Sequence, residues 1–570
     1  MPCKDPGKCV NCHDSAAAMD PSHALACVRC HSGDPAADDA EEAHKELIRD
    51  PGDLRTIERT CGRCHPEEAR RVKTSAMALA PRTINHTRFA FGGQQTPSAH
   101  YAAIETEGLK QVPHPSASTN LGDDLLRRSC LRCHLYTKGS ARWGEHRGQG
   151  CSACHVPHPN SADARPEHRL VRNVGITACL KCHNSNHVGA DYVGLFEKDS
   201  SRGFASPFQG GRQPQRIYGS EQHRLAADVH FRAGMGCADC HSLDEIHGTG
   251  EVNRSPGNKV TISCEKCHVT GDHSAILKSE DGTVTLMRGQ GRKVPAWNAE
   301  AIPHRAPAHR EKLRCSACHA SWSFQDYGFH LMLEERPDYW KWAPNAGQND
   351  PQVQEILTRN VGTEADIVPP ATGPVPPKPE DKWEPPTAAD WLTGEVRPGA
   401  WFRGYTVRRW SRPPLGLDRS GRVSVMRPIY QYVVSHVDSD SNLLVDRQIP
   451  NTGAGWPALV FNPYEPHTIA SKGRLCHECH GDPKAIGLGE GMKGIEKPGF
   501  YPIWKDEDKV PGHNFRWDAL VDANGNPLQR STHPGAGPLN AELVKRLLSP
   551  SELHRAMSYK YLKWGPSGRP

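Results

Sequence analysis

The chain has 570 residues, of which 36% are hydrophobic, 7% aromatic and 24% charged, and its formal charge is +5. An average soluble domain holds roughly 45–50% apolar residues, so apolar side chains alone cannot build a conventional core of this size. No apolar run approaches the roughly 18–20 residues of a membrane span. This composition would indicate disorder, but 21 cysteines and 32 histidines contradict that interpretation.

Twenty of the 21 cysteines belong to ten copies of the pattern Cys-x-x-Cys-His, whereas about 0.04 copies are expected by chance. Positions i, i+3 and i+4 share one face of a helical turn, so two thiols can bond to a porphyrin edge while the histidine reaches the iron. The pattern therefore predicts ten haem c groups. Zinc sites or disulfides are the alternative, but zinc bound through Cys-x-x-Cys needs no histidine after each second cysteine.

The predicted attachment cysteines and proximal histidines follow in chain order, with only Cys3 left over. They are Cys9, Cys12 and His13; Cys27, Cys30 and His31; Cys61, Cys64 and His65; Cys130, Cys133 and His134; Cys151, Cys154 and His155; Cys179, Cys182 and His183; Cys237, Cys240 and His241; Cys264, Cys267 and His268; Cys315, Cys318 and His319; and Cys476, Cys479 and His480. Nine motifs precede residue 320, which leaves about 35 residues per haem, so each haem must touch a neighbouring haem. The buried haems would supply the apolar core that the side chains cannot.

The fold class expected is a multihaem cytochrome c, mainly short α-helices and loops wound around stacked haems, with a small antiparallel β module near 400–450. Five regions are predicted from composition and motif spacing. They are an N-terminal three-haem segment (1–129), a six-haem domain (130–367), a Pro-rich linker (368–386), a β module (387–475), and a C-terminal haem with a helical tail (476–570).

Two local predictions accompany this division. Asp438 to Asn442 is expected to turn a hairpin, and Asn540 and Ser551 are expected to cap two C-terminal helices. Asp326 to His330 keeps the spacing of a haem motif without its cysteines. We interpret it as a lost haem site or as a spacing that arose by chance.

The second axial ligand of each iron, the distal ligand, decides whether that haem only conducts electrons or can also bind a substrate. Twenty-two histidines lie outside the proximal positions, enough for a second imidazole at every iron. Met77 and Lys73 are weaker alternatives near the third motif. For the tenth haem we expect His467 or a residue from the main haem domain, rather than His477, to be the distal ligand. The candidate distal histidines are His23, His44, His158, His187, His230, His247, His273, His309 and His467.

Three segments carry a resemblance to a known family. They are Asp228 to His241, Arg147 to His155, and Cys315 to Trp322. They resemble bacterial multihaem cytochromes c related to the octahaem hydroxylamine oxidoreductase and tetrathionate reductase class, over about residues 130–325. The resemblance implies a helical, loop-rich chain around parallel and perpendicular haem pairs. This chain has ten motifs, whereas the octahaem proteins have eight. No segment matches the tyrosine that cross-links the catalytic haem of the hydroxylamine enzymes, so the enzymatic activity is not carried over.

The function expected is electron transfer along a conductive chain of ten haems in respiratory or extracellular electron transfer. The alternative is an oxidoreductase of small nitrogen or sulfur oxyanions with one open-coordinate haem. All ten motifs end in histidine and none in lysine, which counts against nitrite chemistry and favours an electron carrier over an enzyme.

Partners and location follow from the haem chemistry. Haem propionates shift the net charge by roughly −10 when the irons are oxidised, so the holoprotein should be acidic although the polypeptide alone is positive. We therefore expect no nucleic acid partner. We expect redox proteins, a membrane oxidoreductase, or a second copy in an oligomer or filament. Thioether attachment takes place outside the bacterial cytoplasm, so we expect an extracytoplasmic protein, periplasmic or cell-surface, whose leader is removed or missing from the gene start.

Overall fold

The computed structural model combines many short helices with one larger sheet. It describes residues 9–13, 21–139, 146–159, 167–184, 189–197, 215–217, 220–252, 260–287, 292–336, 387–410, 413–489 and 510–549. Within those residues no helix is long and apolar enough to cross a membrane. The Pro-rich segment 368–386, residue Cys3 and the second predicted C-terminal helix lie outside the described residues.

Five helices are longer than the rest. They are α1 (Pro66–Lys73), α2 (Pro81–Ala90), α3 (Leu121–Arg128), α4 (Pro307–Lys312) and α5 (Ala541–Leu548). The shorter helices and 3-10 turns are Cys9–Cys12, Pro21–His23, Val28–His31, Ala40–Ala43, Ile57–Arg59, Cys61–Arg63, Ala76–Leu79, Pro115–Ala117, Cys130–Cys133, Ser152–His155, Ile176–Leu180, Val229–Arg232, Cys237–Asp239, Leu243–His247, Cys264–His268, Ile302–Arg305, Cys315–His319, Cys476–Glu478 and Pro483–Ile486.

The ends of the longer helices follow from local sequence. In α3, the Asn120 side chain accepts a hydrogen bond from the Gly122 amide, and acidic residues in the first turn and arginines in the last turn complement the helix dipole. Asn540 caps α5 by accepting from the Leu543 amide, which confirms the predicted helix start. α1 and α2 both begin with proline, whose missing N–H costs nothing at that position.

A seven-stranded sheet occupies the C-terminal half. Its strands are β1 (Ser323–Glu334), β2 (Ala400–Trp410), β3 (Leu415–Leu417), β4 (Val423–Val437), β5 (Leu443–Gln448), β6 (Leu459–Pro463) and β7 (Gly537–Pro538). The order is β2-β1-β4-β3-β7, and β5 and β6 also pair with β4. Small separate sheets are formed by Tyr101–Ala102 with Lys110–Gln111; Leu195–Glu197, Gln215–Ile217 and Ser220–Arg224; Ile276–Lys278 with Val284–Leu286; and Thr387–Ala389 with Val396–Pro398.

The predicted β module needs three corrections. The sheet is larger than a module at 400–450, it contains a parallel pair between β1 and β4, and its strands come from both sides of 368–386. Strands before and after the predicted linker therefore share one sheet, and the β region is not a separate unit. The hairpin of β4 and β5 around Asp438 to Asn442 is confirmed.

The degenerate motif from Asp326 to His330 lies inside β1. Successive residues of a strand alternate between two faces, so the i, i+3, i+4 spacing does not bring these positions together as it would on a helical turn. The interpretation as a lost haem site is not supported by this backbone.

Apolar side chains join the sheet to the haem-motif segments. Leu125 of α3 packs with Leu331, Trp401 and Val434 on one part of the sheet. Ala317 and Ala320 of the ninth motif pack with a second cluster, formed by β3, β4 and α5. The tenth motif, expected to be separated from the other nine, instead lies beside the ninth, where the Arg474 amide donates to the Cys318 carbonyl.

Candidate haem-binding cavity

In nine of the ten motifs, a helical turn brings the histidine back over the first cysteine. In seven of them the histidine amide donates to the carbonyl of the first cysteine over 2.8–3.0 Å, which closes one helical turn. These seven are the motifs of His13, His31, His65, His155, His183, His241 and His480. The eighth and ninth motifs are helical throughout, at Cys264–His268 and Cys315–His319. Two thiols and an imidazole on one face suit thioether attachment and axial ligation.

Eight motif histidines each face a second histidine from elsewhere in the chain, with ring centres 6.0–6.4 Å apart. Two metal–nitrogen bonds of ~2.0 Å and the ring radii place the centres of two axial imidazoles ~6 Å apart. The pairs are His13–His44, His31–His168, His65–His23, His155–His247, His241–His467, His268–His230, His319–His304 and His480–His309.

Ordinary aromatic contacts also span ~4.5–7 Å, so the ring nitrogens supply a second criterion. A histidine that binds a metal through Nε2 usually donates from Nδ1 to a carbonyl or carboxylate. Five motif histidines place Nδ1 at 2.6–3.0 Å from such an oxygen. These contacts are His31 to Ile48 O, His155 to Val171 O, His241 to Glu245 Oε2, His268 to Pro295 O, and His319 to Ala470 O.

The structure sorts the nine distal candidates. Six of them face a motif histidine: His23, His44, His230, His247, His309 and His467. His158 instead faces His146, with ring centres 5.2 Å apart. His273 faces no motif histidine among the described residues, and His187 lies outside them.

Of the two alternatives expected for the tenth motif, His467 faces His241 of the seventh motif instead, while His309, a residue of the main haem domain, faces His480. The segment around His467 runs past the seventh and ninth motifs, where the Val229 amide donates to the Ile469 carbonyl and His319 Nδ1 contacts the Ala470 carbonyl. Its nearness in sequence to the tenth motif was misleading.

Sequence reasoning missed His168 and His304, which face His31 and His319. His304 lies in Ile302–Arg305, shortly before the ninth motif, and position before a motif was a usable signal. His168 follows the fifth motif but faces the second, and only the three-dimensional fold shows that pairing.

One continuous cavity of about 5090 Å³ receives residues of nine of the ten motifs. Five of the eight histidine pairs line it with both members, namely His65–His23, His155–His247, His241–His467, His268–His230 and His319–His304. An ordinary ligand pocket measures ~300–1,000 Å³, so this space suits several large ligands. Its walls carry sixteen of the twenty motif cysteines, and the described cysteines form no disulfide.

Thiols of different motifs lie close enough to perturb one another. The neighbouring Cys151 lowers the pKa of Cys61 to about 7, and the pKa of Cys151 is raised in turn. The same relation, with the pKa of one thiol lowered and that of its neighbour raised, holds for Cys133 and Cys182, for Cys179 and Cys237, and for Cys315 and Cys264. Attachment points of different haems would therefore lie side by side.

The described residues contain no group of three or more His, Cys, Asp or Glu side chains that could hold a bare metal ion. Haem iron takes four ligands from the porphyrin, so a pair of imidazoles completes its coordination. The residues present therefore fit haem better than a zinc ion.

Two motif histidines, His134 and His183, face no second imidazole among the described side chains. Two nearby sequence candidates for His183, His187 and the His223 side chain, fall outside the described residues. For His134, residues 131–139 on either side of it in the chain are described, and none of them is a second histidine.

The chain was also compared with known proteins. No protein family, curated protein sequence or solved structure matches it significantly.

Proposed function

We propose that the chain is an electron-transfer protein that carries ten covalent c-type haems. The observation that carries this proposal is the set of eight motif histidines, each faced by one further histidine across 6.0–6.4 Å. The motif cysteines would hold the porphyrins by thioether bonds, and the paired imidazoles would hold the irons. Haem iron supplies reversible one-electron chemistry when bound.

The ligand pairs favour conduction over catalysis at these eight positions. An iron with two imidazoles has no free position for a substrate, and its low-spin state changes little in geometry between oxidation states. Nδ1 contacts with backbone carbonyls hold the motif rings in place, as for His31 and His155.

The neighbour relations support a path that does not follow chain order. Hydrogen-bonded thiols connect the third motif with the fifth, the fourth with the sixth, the sixth with the seventh, and the eighth with the ninth. Burial raises the pKa of Cys240 to about 12, with Cys267 of the eighth motif adding to the rise. Burial likewise raises the pKa of Cys154 to about 11, with Cys179 adding to the rise. The third to tenth motifs therefore form one connected series, completed by Cys318 beside Cys479.

The partners proposed are redox proteins, a membrane oxidoreductase or another copy of this chain in an oligomer or filament. The location proposed is outside the cytoplasm, in the periplasm or at the cell surface, because covalent haem attachment takes place there in bacteria.

Haem content tests this proposal directly. The protein, expressed with a cytochrome c maturation system, is assayed by pyridine haemochrome and intact mass, and electron paramagnetic resonance quantifies spin state. We expect ten haems per chain, with at least eight low-spin. Cys476→Ser with Cys479→Ser should remove one haem and serves as the matched control for counting. A chain with eight haems or fewer, or one that binds stoichiometric zinc instead, contradicts the proposal.

A further inference from the structure

The fourth motif departs from the geometry of the others. Its His134 amide donates to the Leu131 carbonyl over 3.4 Å, not to the carbonyl of the first cysteine. The ring is 3% exposed, its Nδ1 contacts Leu131 O and Thr137 Oγ1, and its buried Nε2 has no hydrogen-bond partner. Nε2 is thus available for iron, while no described imidazole stands opposite to take the second axial position.

Helix α2 and strand β4 border this motif. Leu131 packs in one apolar cluster with Ile84 of α2. Cys130 and Tyr432 of β4 pack against a second apolar cluster. Arg82 and His86 of α2, Tyr430 and Arg427 of β4, and His533 line the same cavity as the fourth motif. Polar side chains of the two elements that border this motif therefore lie on the wall of the cavity to which it contributes.

The members of this group are held at fixed positions. Arg82 and His86 are one helical turn apart on α2, and the rings of His86 and Tyr430 lie 5.9 Å apart. Tyr430 is 2% exposed, and its hydroxyl has no hydrogen-bond partner. A buried hydroxyl without a partner is costly, so it indicates a group that the bound form of the protein supplies.

The electrostatic field at this wall is positive. Burial, together with the nearby cations Arg419, Arg82 and Arg427, lowers the pKa of His533 to about 4. Burial also lowers the pKa of Arg82, with Tyr430 and Arg419 as the charged or titratable neighbours that act on it. Within the described part of the chain, no carboxylate acts on Arg82 or His533. Cations without matching carboxylates favour an anionic ligand.

We propose that the haem of the fourth motif has an open iron face, and that Arg82, His86, Tyr430 and His533 bind a small inorganic anion there. This inference rests on the proposed function, since it needs a haem at Cys130 and Cys133. Arginine and tyrosine donors would orient the anion, and the open position would accept one of its atoms.

Two probes test the site without any enzymatic assay. Carbon monoxide, added to the reduced protein, reports an open iron by its stoichiometry and its infrared stretching band. Azide, added to the oxidised protein, reports the anion site by the dissociation constant of its spectral change. Haem content is measured first, so that a failure of the proposed function is recognised before either probe is interpreted.

The variants Arg82→Gln and Tyr430→Phe separate this site from any other. Each should weaken azide binding about tenfold, because each removes a donor to the anion, and each should raise the stretching frequency of bound carbon monoxide. Arg310→Gln is the control, since Arg310 lines the same cavity away from this group and changes the charge equally. It should leave both readouts unchanged.

Three results would overturn the inference in a protein with ten haems. They are no binding of carbon monoxide, a carbon monoxide band insensitive to Arg82→Gln and Tyr430→Phe, and azide binding that Arg310→Gln weakens as much as Arg82→Gln. The last result would mean that the arginines act only through the general charge of the cavity, for example by pairing with propionates.

Discussion

At the scale of single residues, the distal imidazole determines what each iron can do. His309 faces His480 across 6.1 Å, and its Nδ1 is buried without a hydrogen-bond partner. The pair closes the tenth site with two residues far apart in the chain. Removing one imidazole should therefore open one iron and leave the other sites intact.

His309→Ala should convert one haem in ten from low-spin to high-spin, because the iron of the tenth motif loses its second strong ligand. Spin quantitation by electron paramagnetic resonance of the oxidised protein measures this change. His114→Ala is the control, since His114 contacts Glu395 and Ser116 and faces no motif histidine in the described residues. A spectrum of His309→Ala identical to that of His114→Ala would contradict the ligand assignment.

The sequence was sufficient for the motif positions and insufficient for their partners. Cys-x-x-Cys-His is a local pattern, so its ten copies could be found without a structure. His168 could not be assigned, because its pairing with His31 depends on how the segment after the fifth motif folds back over the second. His467 shows the same limit, since the segment that carries it passes the seventh motif.

At the scale of elements, α3 ties the fourth motif to the chain that follows the undescribed segment 337–386. Arg127 Nε lies 2.5 Å from Asp390 Oδ2, and these side chains are 2% and 0% exposed. Arg128 donates to the carbonyls of Pro398 and Gly399 over 2.6–2.7 Å. The sheet region is therefore anchored to the helix that precedes the fourth motif, and its deletion should disturb this motif.

Arg127→Met should lower the free energy of unfolding by about 3–5 kcal/mol, since it leaves the Asp390 carboxylate buried without its cation. Combining it with Asp390→Asn should recover part of this loss, because the amide keeps an acceptor for the Leu392 amide. Denaturant titration of the holoprotein measures both.

Arg70→Met is the matched control for this prediction. Arg70 and Glu67 form an exposed pair on α1, so its loss should lower the free energy of unfolding far less than loss of the buried pair. An equal cost for Arg127→Met and Arg70→Met would show that the buried pair does not join α3 to the sheet region.

The strands of this region were predicted better than their arrangement. β-Branched and aromatic runs located β4 and its hairpin with β5, because strand preference is visible in short windows. The parallel pairing of β1 with β4 joins residues on either side of the Pro-rich segment, and no local pattern specifies such a contact.

At the scale of the whole molecule, the proposed haems would carry a net charge opposite to that of the polypeptide. The polypeptide alone is +5, with an isoelectric point near 8.3. Ten haems would add roughly −10 in the oxidised state and −20 in the reduced state through their propionates. Arginines in the cavity wall, such as Arg172 and Arg474, offer cations to these carboxylates.

The oxidised holoprotein should therefore focus well below pH 8.3, and the reduced holoprotein lower still. Isoelectric focusing under air and under anaerobic reducing conditions measures both values. Chain prepared without haem maturation is the control and should focus near the polypeptide value. A holoprotein that focuses at or above this value would show that the propionates are absent or protonated.

In a haem protein of the proposed function, the pairing of His241 with His467 would impose an order on biogenesis. A chain exported from its N-terminus would present His13 and His44 almost together, so the first centre could close early. The seventh centre would have to wait for the segment after β6, and the second would have to wait for His168. Under the proposed function, several irons pass through a stage with a single axial imidazole, open to oxygen and to small ligands. Closure of the seventh centre then marks the point at which most of the polypeptide has been delivered and folded.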